Sequence, residues 1–399
     1  MIPPIRPIQF SSLTTKPSPH PIYGVHRSKT STRGVKVRYF STKPVRNPNF
    51  IEVTKEDVKY FESVLGVENV LATEDLGGRS DIQDLDQYNS SWIPEIVGNT
   101  KVVILPTSTQ HVSEGGNTGA QGACIPVFDE IVVCMSRMNS IRKFDIDSGV
   151  LECDAGCILE QLDNHVSQFN FTMPLDLGAK GSCHIGGNIS TNAGGVRYLR
   201  YGSLHGSVLG LEVVLPDGTI LNNMSTLRKD STGYDIKQLF IGAEGTLGIV
   251  TGVSILTSQK PLFNNVVLLG LNSFEDVLKA FNFSKKHFAE ILSAFEFWDA
   301  DCMKSVLTFH KYLNPFSSEY NFYVLIETSG SNSEHDQSKI NLFLEESSQE
   351  GFVVDGTMAY DSVQDKKTEY LYFLFSKEIN NTISLLPFSK TSCGILEKE

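Results

Sequence analysis

The sequence predicts a mixed α and β protein with more than one domain. The chain has 399 residues, 40% of them apolar, which is enough for a sizeable core. Runs rich in Val, Ile and Leu alternate with segments of helical periodicity. Glycine is concentrated in the first two thirds of the chain and thins out after Pro261, where phenylalanine becomes frequent. This change in composition predicts a domain boundary near Pro261.

The first part of the chain is predicted to contain several strands and one clear helix. KVVILP (101–106) and EIVVCM (130–135) are typical of buried strands. Residues 141–146 and 150–154 are predicted to form a hairpin, because an Asp-Ser-Gly turn separates them. Apolar residues recur at helical spacing over residues 158–170. Further strands are predicted at residues 208–215, 219–221 and 248–257.

Beyond Pro261, short apolar runs alternate regularly with amphipathic segments. This alternation predicts a compact α/β module with helices on one side of a sheet. No clear period follows residue 361, and no element is predicted there. The predicted strands are residues 266–270, 294–297, 322–327 and 351–358, and the predicted helices are residues 274–287, 300–312 and 334–346.

Charge and composition exclude several classes of protein. The net charge of -12 argues against a protein that coats nucleic acid, because neutralising phosphates requires a basic surface. No apolar run is long enough to predict a membrane span. The seven cysteines fit no zinc-binding spacing, so we expect buried free thiols in a reducing compartment.

The first 51 residues differ in charge from the remainder of the chain. They contain nine Lys or Arg, eleven Ser or Thr and no Asp or Glu. A basic, acid-free, hydroxyl-rich leader is typical of an organelle transit peptide, and RYFST (38–42) is similar to a mitochondrial processing site. A disordered basic tail is the alternative interpretation.

Three glycine clusters carry most of the chemical information. They are GGNTG (115–119), a dense cluster over residues 178–206, and GAEGTLG (242–248). Glycine lets the backbone approach a ligand closely, and successive N–H groups in such turns form anion-binding nests. Neither a Walker A motif nor a Rossmann fingerprint is present. The clusters therefore predict a dinucleotide cradle of another kind.

Long segments of the chain resemble one flavoprotein family. They include MPLDLGAKGSCHIGGNISTNAGGVRYLRYGSLHG (173–206), LRKDSTGYDIKQLFIGAEGTLGIVT (227–251) and ILSAFEFWDA (291–300). The sequence is similar to the D-2-hydroxyglutarate dehydrogenase family of vanillyl-alcohol-oxidase-like flavoproteins from about residue 50 to residue 358. The resemblance implies an α+β protein with a PCMH-type FAD-binding domain of two α/β subdomains, followed by an α/β cap domain with a largely antiparallel sheet.

The resemblance also implies the domain bounds and the activity. A transit peptide would occupy residues 1–49, the FAD-binding domain residues 50–260, a partial cap domain residues 261–360, and a tail unlike the family residues 361–399. The implied reaction is FAD-dependent oxidation of D-2-hydroxyglutarate to 2-oxoglutarate in the mitochondrial matrix. Electrons would pass to an electron-transfer flavoprotein, and a homodimer is compatible with the family. The alternatives are a D-lactate or glycolate dehydrogenase, or a catalytically silent remnant that binds FAD.

The residues implied to contact FAD fall in the three glycine clusters and their flanks. His184 suggests a covalent flavin link, which some relatives have, but this branch resembles the non-covalent enzymes, so we expect non-covalent FAD. His205 is interpreted as structural or as lying beside a phosphate. The implied cofactor-binding residues are Gly115, Gly116, Asn117, Thr118, Gly119, Pro174, Gly181, Ser182, Gly186, Gly187, Asn188, Thr191, Asn192, Gly194, Gly195, Glu244, Gly245, Thr246 and Ile249.

The sequence departs from the family at two places. Residues 107–114 are too few to supply a helix and a second strand, so part of a βαβ unit is expected to be missing. The family's zinc-binding, substrate-binding and base-supplying segment is expected to be absent after about residue 361. Lys260 and Arg228 are interpreted as solvated or structural. The sequence therefore identifies no catalytic residue and no metal ligand, and it leaves the activity of this chain open.

Overall fold

The computed structural model describes Arg46 and residues 52–80, 82–90, 97–111, 125–310, 314–360 and 393–395. Its helices and strands all lie within the compact unit Glu52–Glu399.

A small three-stranded sheet is the first sheet of the described structure. Thr54 and Asp57 form a capping box that starts the first helix. The elements of this region are α1 (Lys55–Leu65), β1 (Val70–Ala72), α2 (Asp86–Asn89), β2 (Val102–Ile104) and β3 (Val132–Val133).

The strand predicted at residues 101–106 is confirmed, whereas the one predicted at 130–135 is only two residues long. β2 pairs antiparallel with β1 and parallel with β3. The last bond from this segment to β2 is donated by Cys134 N–H to Ile104 O at 2.8 Å, and a 3₁₀ turn that begins at Met135 ends the pairing. The GGNTG cluster and part of the short connection at 107–114 lie outside the described residues.

The next part of the chain is built around a five-stranded antiparallel sheet. Its strand order is β4-β5-β9-β7-β8, and a separate short pair joins β6 to β10. The predicted hairpin is confirmed, and Gly149 adopts a φ of 72° in its turn, a conformation that favours glycine. The elements are β4 (Ile141–Asp145), β5 (Val150–Asp154), α3 (Leu159–Ser167), β6 (Phe171–Thr172), α4 (Ile185–Ser190), α5 (Tyr198–Tyr201), α6 (Leu204–Ser207), β7 (Val208–Val214), β8 (Ile220–Asn223), β9 (Ile249–Leu256) and β10 (Ser258–Gln259).

One apolar core joins this sheet to the helices around it. Leu159, Leu162 and Val166 form the predicted stripe on α3, and all three are buried. Ile185 and Ile189 anchor α4 in the same core. α4 is therefore fixed against the sheet at the point where the second glycine cluster lies.

The last part of the described chain is a five-stranded sheet in which every pairing is antiparallel. Its order is β14-β11-β13-β12-β15, which confirms the largely antiparallel cap sheet. The strand predicted at 351–358 starts later, because Gly351, with a φ of 78°, turns the chain after the preceding helix. The elements are β11 (Phe263–Leu271), α7 (Phe274–Phe288), β12 (Leu292–Asp299), α8 (Ala300–His310), β13 (Phe322–Gly330), α9 (Ser333–Gln349), β14 (Asp355–Tyr360) and β15 (Cys393–Ile395).

The expectation that the cap helices lie on one side of the sheet is wrong. α7 and α9 cover one face, where Phe295 and Ile326 are buried. α8 covers part of the opposite face and buries Met303 beside Trp298 and Leu325. Because side chains alternate along a strand, strands that are apolar at nearly every position need cover on both faces.

Cys134, Cys153, Cys157 and Cys183 are buried free thiols, as predicted, and Cys302 is buried as well. Within the described residues, none of the helices has the length and apolar character needed to cross a membrane.

Candidate cofactor site

The second glycine cluster is held against the end of β5. The backbone N–H of Ile185 donates to Cys157 O at 2.9 Å, and that of Gly186 donates to Ala155 O at 2.8 Å. These bonds fix the start of α4. A side chain at Gly186 would place its Cβ 2.6 Å from Ala155 Cβ, so this glycine is required by close packing of the two segments.

Gly187, the next residue, has a different environment. A Cβ built there meets no heavy atom within 4 Å, although the residue is only partly exposed. Packing within the described chain therefore does not require this glycine. An open glycine beside a packed one is what a ligand pressing on the backbone would need.

Two buried polar atoms near Gly187 have no hydrogen-bond partner among the described residues. They are Nδ1 of His184 and Oδ1 of Asn188, and both residues are buried. Burial lowers the pKa of His184, which keeps the imidazole uncharged at neutral pH. Because leaving a buried polar atom unpaired costs about 1–3 kcal/mol, these two atoms are available to a polar ligand or an ordered water at α4.

The third glycine cluster is docked onto the end of the same helix. Gly242 N–H donates to Ile189 O at 3.0 Å, and Glu244 N–H donates to Ser190 O at 2.8 Å. Asn192 and Glu244 both have left-handed backbone conformations, with φ values of 50° and 51°. The structure thus brings two of the three predicted clusters together, although they are about 50 residues apart in the sequence.

Several predicted hydroxyls form hydrogen bonds with nearby backbone atoms. Thr191 Oγ1 donates to Gly187 O at 3.0 Å, Ser182 Oγ to Ala179 O at 3.3 Å, and Thr246 Oγ1 to Ala243 O at 2.6 Å. All three residues are exposed. The hydroxyl protons of these three residues are therefore used locally.

The other predicted residues are distributed around this centre. Pro174 is buried, and Ile249 begins β9. Gly181 lies beside Glu160, whose Oε2 would be 3.3 Å from an added Cβ. Gly194 packs against the Tyr198 ring, which would be 3.0 Å from an added Cβ. Gly245 adopts a φ of 76° within the third cluster.

His205, Arg228 and Lys260 fit the interpretations made from the sequence. His205 Nδ1 is hydrogen-bonded to Gln238 Oε1, which is consistent with a structural role. Arg228 and Lys260 are exposed. Among the described residues, no group of three His, Cys, Asp or Glu side chains is placed to hold a metal ion.

Two family models match the chain at these domains. The model of an FAD binding domain matches residues 101–223, and that of the FAD linked oxidases, C-terminal domain, matches residues 260–376. Together they cover more than half of the chain. The chain belongs to the FAD-linked oxidase family.

Curated relatives of this FAD-linked oxidase carry closely related names. A protein of Danio rerio named mitochondrial D-2-hydroxyglutarate dehydrogenase is 48% identical over 341 residues, which are 82% of this chain and 62% of the relative. The protein of that name from Rattus norvegicus is 46% identical over 83% of this chain and 62% of its own length. A mitochondrial protein of Schizosaccharomyces pombe, provisionally named D-lactate dehydrogenase, is 46% identical over 80% of this chain and 63% of its own length.

Solved structures confirm the flavoprotein fold of this FAD-linked oxidase. p-Cresol methylhydroxylase superposes with a TM-score of 0.63 at 14% identity, over 82% of this chain and 70% of that one. Alkyldihydroxyacetonephosphate synthase gives 0.61 at 16% identity, over 81% and 63%. The chain spans only about three fifths of the length of the curated relatives named above.

We expect Gly187→Ala to weaken FAD binding by about tenfold without destabilising the protein. The added methyl group has room in the described chain and replaces a helical glycine, which favours folding by about 0.5–1 kcal/mol. The same methyl group would stand where the backbone is expected to meet the cofactor. FAD affinity is measured by flavin fluorescence, and stability by thermal unfolding of the apoprotein.

Gly206→Ala is the matched control for this prediction. Gly206 is also a helical glycine with no heavy atom within 4 Å of an added Cβ, but it is outside the predicted cofactor set. Its substitution should leave FAD affinity within about twofold of the wild type. Equal affinity of the Gly187→Ala and wild-type proteins would contradict the placement of FAD at α4.

Proposed function

We propose that this protein oxidises D-2-hydroxyglutarate to 2-oxoglutarate with FAD as its cofactor. The observation that carries the proposal is the 48% identity, over 341 residues, to a protein named mitochondrial D-2-hydroxyglutarate dehydrogenase. The proposal is supported by the membership of the chain in the FAD-linked oxidase family. It is also supported by a site in which unpaired polar atoms and an open glycine occur together.

The residues of the chain would hold FAD in three places. GGNTG (115–119) would bind the diphosphate, the segment from Pro174 to Gly195 would contact the flavin, and Glu244 to Ile249 would contact the adenine and ribose side. Residues 50–260 would form the FAD-binding domain, with residues 261–360 as a cap over it. When bound, FAD supplies the acceptor for the two electrons removed from the hydroxyl-bearing carbon.

Non-covalent binding of FAD belongs to the same proposal. His184 is the only histidine within the predicted cofactor segment, and it is buried. Its unpaired Nδ1 would serve as a hydrogen-bonding atom toward the cofactor instead of as a point of attachment. Flavin that is released by denaturation and separates from the protein would support this mode of binding.

The cellular setting is proposed from the leader and from the relatives. The basic, acid-free leader and the mitochondrial names of the relatives support a mitochondrial location, for which we propose the matrix. An electron-transfer flavoprotein is the proposed electron acceptor. A homodimer stays a prediction of the family resemblance.

Oxidation of D-lactate is the second candidate. The relative from Schizosaccharomyces pombe favours it, because its similarity to this chain is nearly as high as that of the D-2-hydroxyglutarate dehydrogenases. The two substrates share a D-2-hydroxy acid and differ in the second carboxylate. A comparison of both substrates on one preparation therefore separates the two functions.

Anaerobic reduction of bound flavin tests the proposed function. The purified chain should show the visible absorption of bound flavin, and D-2-hydroxyglutarate should bleach it faster than D-lactate, glycolate or L-2-hydroxyglutarate. Absence of flavin after incubation with FAD would contradict the cofactor. A flavin band that dithionite bleaches and D-2-hydroxyglutarate does not would contradict the substrate oxidation and support a silent FAD-binding protein.

A further inference from the structure

Arg197 lies at the boundary between the predicted flavin segment and the cap sheet. It follows Gly194 and Gly195 in the sequence and is the residue immediately before α5. Its side chain is only 16% exposed. A guanidinium remains charged in proteins, so its burial requires compensating negative charge.

Two buried carboxylates provide that charge from different parts of the fold. Arg197 Nη2 is 3.6 Å from Asp176 Oδ2, and Arg197 Nε is 3.8 Å from Glu327 Oε1. The side chain of Asp176 is 10% exposed and that of Glu327 is 3% exposed. Lys180 Nζ also lies 3.0 Å from Asp176 Oδ1. The charges of Lys180, Asp176, Arg197 and Glu327 therefore alternate in sign.

The two carboxylates belong to different parts of the fold. Asp176 follows β6, two residues after Pro174, on the flavin side. Glu327 lies on β13 of the cap sheet, opposite Val266 of β11 and Ala294 of β12. Its neighbour two residues back, Leu325, packs on the face that α8 partly covers, so Glu327 lies on that same face. Arg197 thus joins the flavin segment to one face of the cap sheet.

The backbone around Arg197 is fixed to Asp176 as well. Val196 N–H donates to Asp176 O at 3.2 Å. Gly195 has a φ of 80°, and a Cβ there would lie 2.1 Å from Asp176 O. On the cap side, Leu199 of α5 packs against the apolar core that contains Phe295. Any shift of the cap relative to Arg197 would therefore be transmitted to the segment around Asp176.

We propose that Arg197 is a positioning residue that couples binding of FAD to the seating of the cap sheet. By holding Asp176 and Glu327 together, it fixes Pro174, Gly194 and Gly195 in the arrangement that FAD needs. This inference rests on the proposed function. Charged residues within a glycine cluster are the sequence signal for it, but the partner on the cap cannot be recognised from spacing.

A single variant and a double variant together separate a positioning role of Arg197 from simple compensation of the Glu327 charge. Arg197→Met leaves Glu327 buried without this ion pair, whereas Asp176 keeps Lys180. Adding Glu327→Gln removes the stranded charge. FAD affinity is measured by flavin fluorescence on folded protein, and stability is measured by thermal unfolding without FAD. Arg200→Met, on the short helix α5 that follows Arg197, is the control for loss of a guanidinium.

Positioning predicts that the two measurements diverge. Arg197→Met should lower Tm and weaken FAD binding by about tenfold, and the double variant should regain Tm but keep the weak binding. Arg197→Lys, which keeps the charge but not the planar fork, should remain folded and bind FAD several-fold more weakly. Arg200→Met should bind FAD like the wild type.

Failure of the Arg197 inference can be told apart from failure of the proposed function. A double variant that binds FAD as tightly as the wild type would show that Arg197 only compensates Glu327, and the inference would fail alone. If Arg197→Met does not fold, Arg197→Lys replaces it in this test. Unchanged FAD affinity in Arg197→Lys would then also show that Arg197 only compensates Glu327. A wild-type chain that binds no FAD would overturn the proposed function and this inference together.

Discussion

Replacing Glu296 with glutamine should stabilise the protein progressively as the pH rises from 5 to 7. Glu296 lies on β12, and burial raises the pKa of its carboxyl group to about 8. Its Oε1 is buried and has no hydrogen-bond partner among the described residues. The carboxyl group is therefore neutral in the folded protein at pH 7 and ionised in the unfolded chain.

Proton linkage gives the direction in which the free energy of unfolding changes with pH. A carboxyl group whose pKa is raised on folding contributes full stability below its unfolded pKa, which is near 4.5, and that stability is lost as the pH rises through the folded value. Between pH 5 and pH 7 the loss approaches ~1.4 kcal/mol for each pH unit. Glutamine does not titrate, so the advantage of Glu296→Gln should grow by about 2–3 kcal/mol over this range.

Urea unfolding of both proteins at pH 5, 6 and 7 measures this difference. Glu350→Gln is the control, because it removes the same charge from an exposed position in the same part of the fold. A constant difference between Glu296→Gln and the wild type across the three pH values would contradict the prediction. It would mean that Glu296 is ionised in the folded protein and has found a compensating partner.

The strands of the cap sheet could be predicted from sequence, and the burial of Glu296 could not. Short runs such as Val266–Gly270 are apolar at every position, which predicts a buried strand without any knowledge of its neighbours. Glu296 stands in Phe-Glu-Phe, an alternation that indicates a solvent-facing glutamate. It shares its face of β12 with Trp298, which packs against α8 on the side opposite α7 and α9, and cover on that side is a property of the tertiary arrangement.

The predicted cofactor site shows a similar division. Clustering of glycine identifies the regions that come together at α4, and backbone bonds to Ile189 and Ser190 confirm that the second and third clusters meet. Residue type does not distinguish the roles of individual glycines, because packing against Ala155 and an approach by a ligand both exclude a side chain. Only the surroundings of Gly186 and Gly187 separate the two roles.

Gly195→Ala should destabilise the protein by about 2–5 kcal/mol whether or not FAD is present. A left-handed backbone conformation costs about 1–2 kcal/mol for a residue with a side chain, and Gly195 has a φ of 80°. The added Cβ would also lie 2.1 Å from Asp176 O and 2.8 Å from Leu177 Cδ2. Relieving such a contact requires a backbone shift that costs a further 1–3 kcal/mol or so.

Gly218→Ala isolates the conformational part of this effect. Gly218 has a φ of 84°, but an added Cβ would meet no heavy atom within 4 Å. Its substitution should cost only about 1–2 kcal/mol, so the difference between the two variants measures the clash with Asp176. Urea unfolding of the apoprotein gives both values. Equal costs would mean that residues 195 and 176 separate without penalty, and the loop that carries Arg197 would then be held by its ion pairs instead of by close backbone packing.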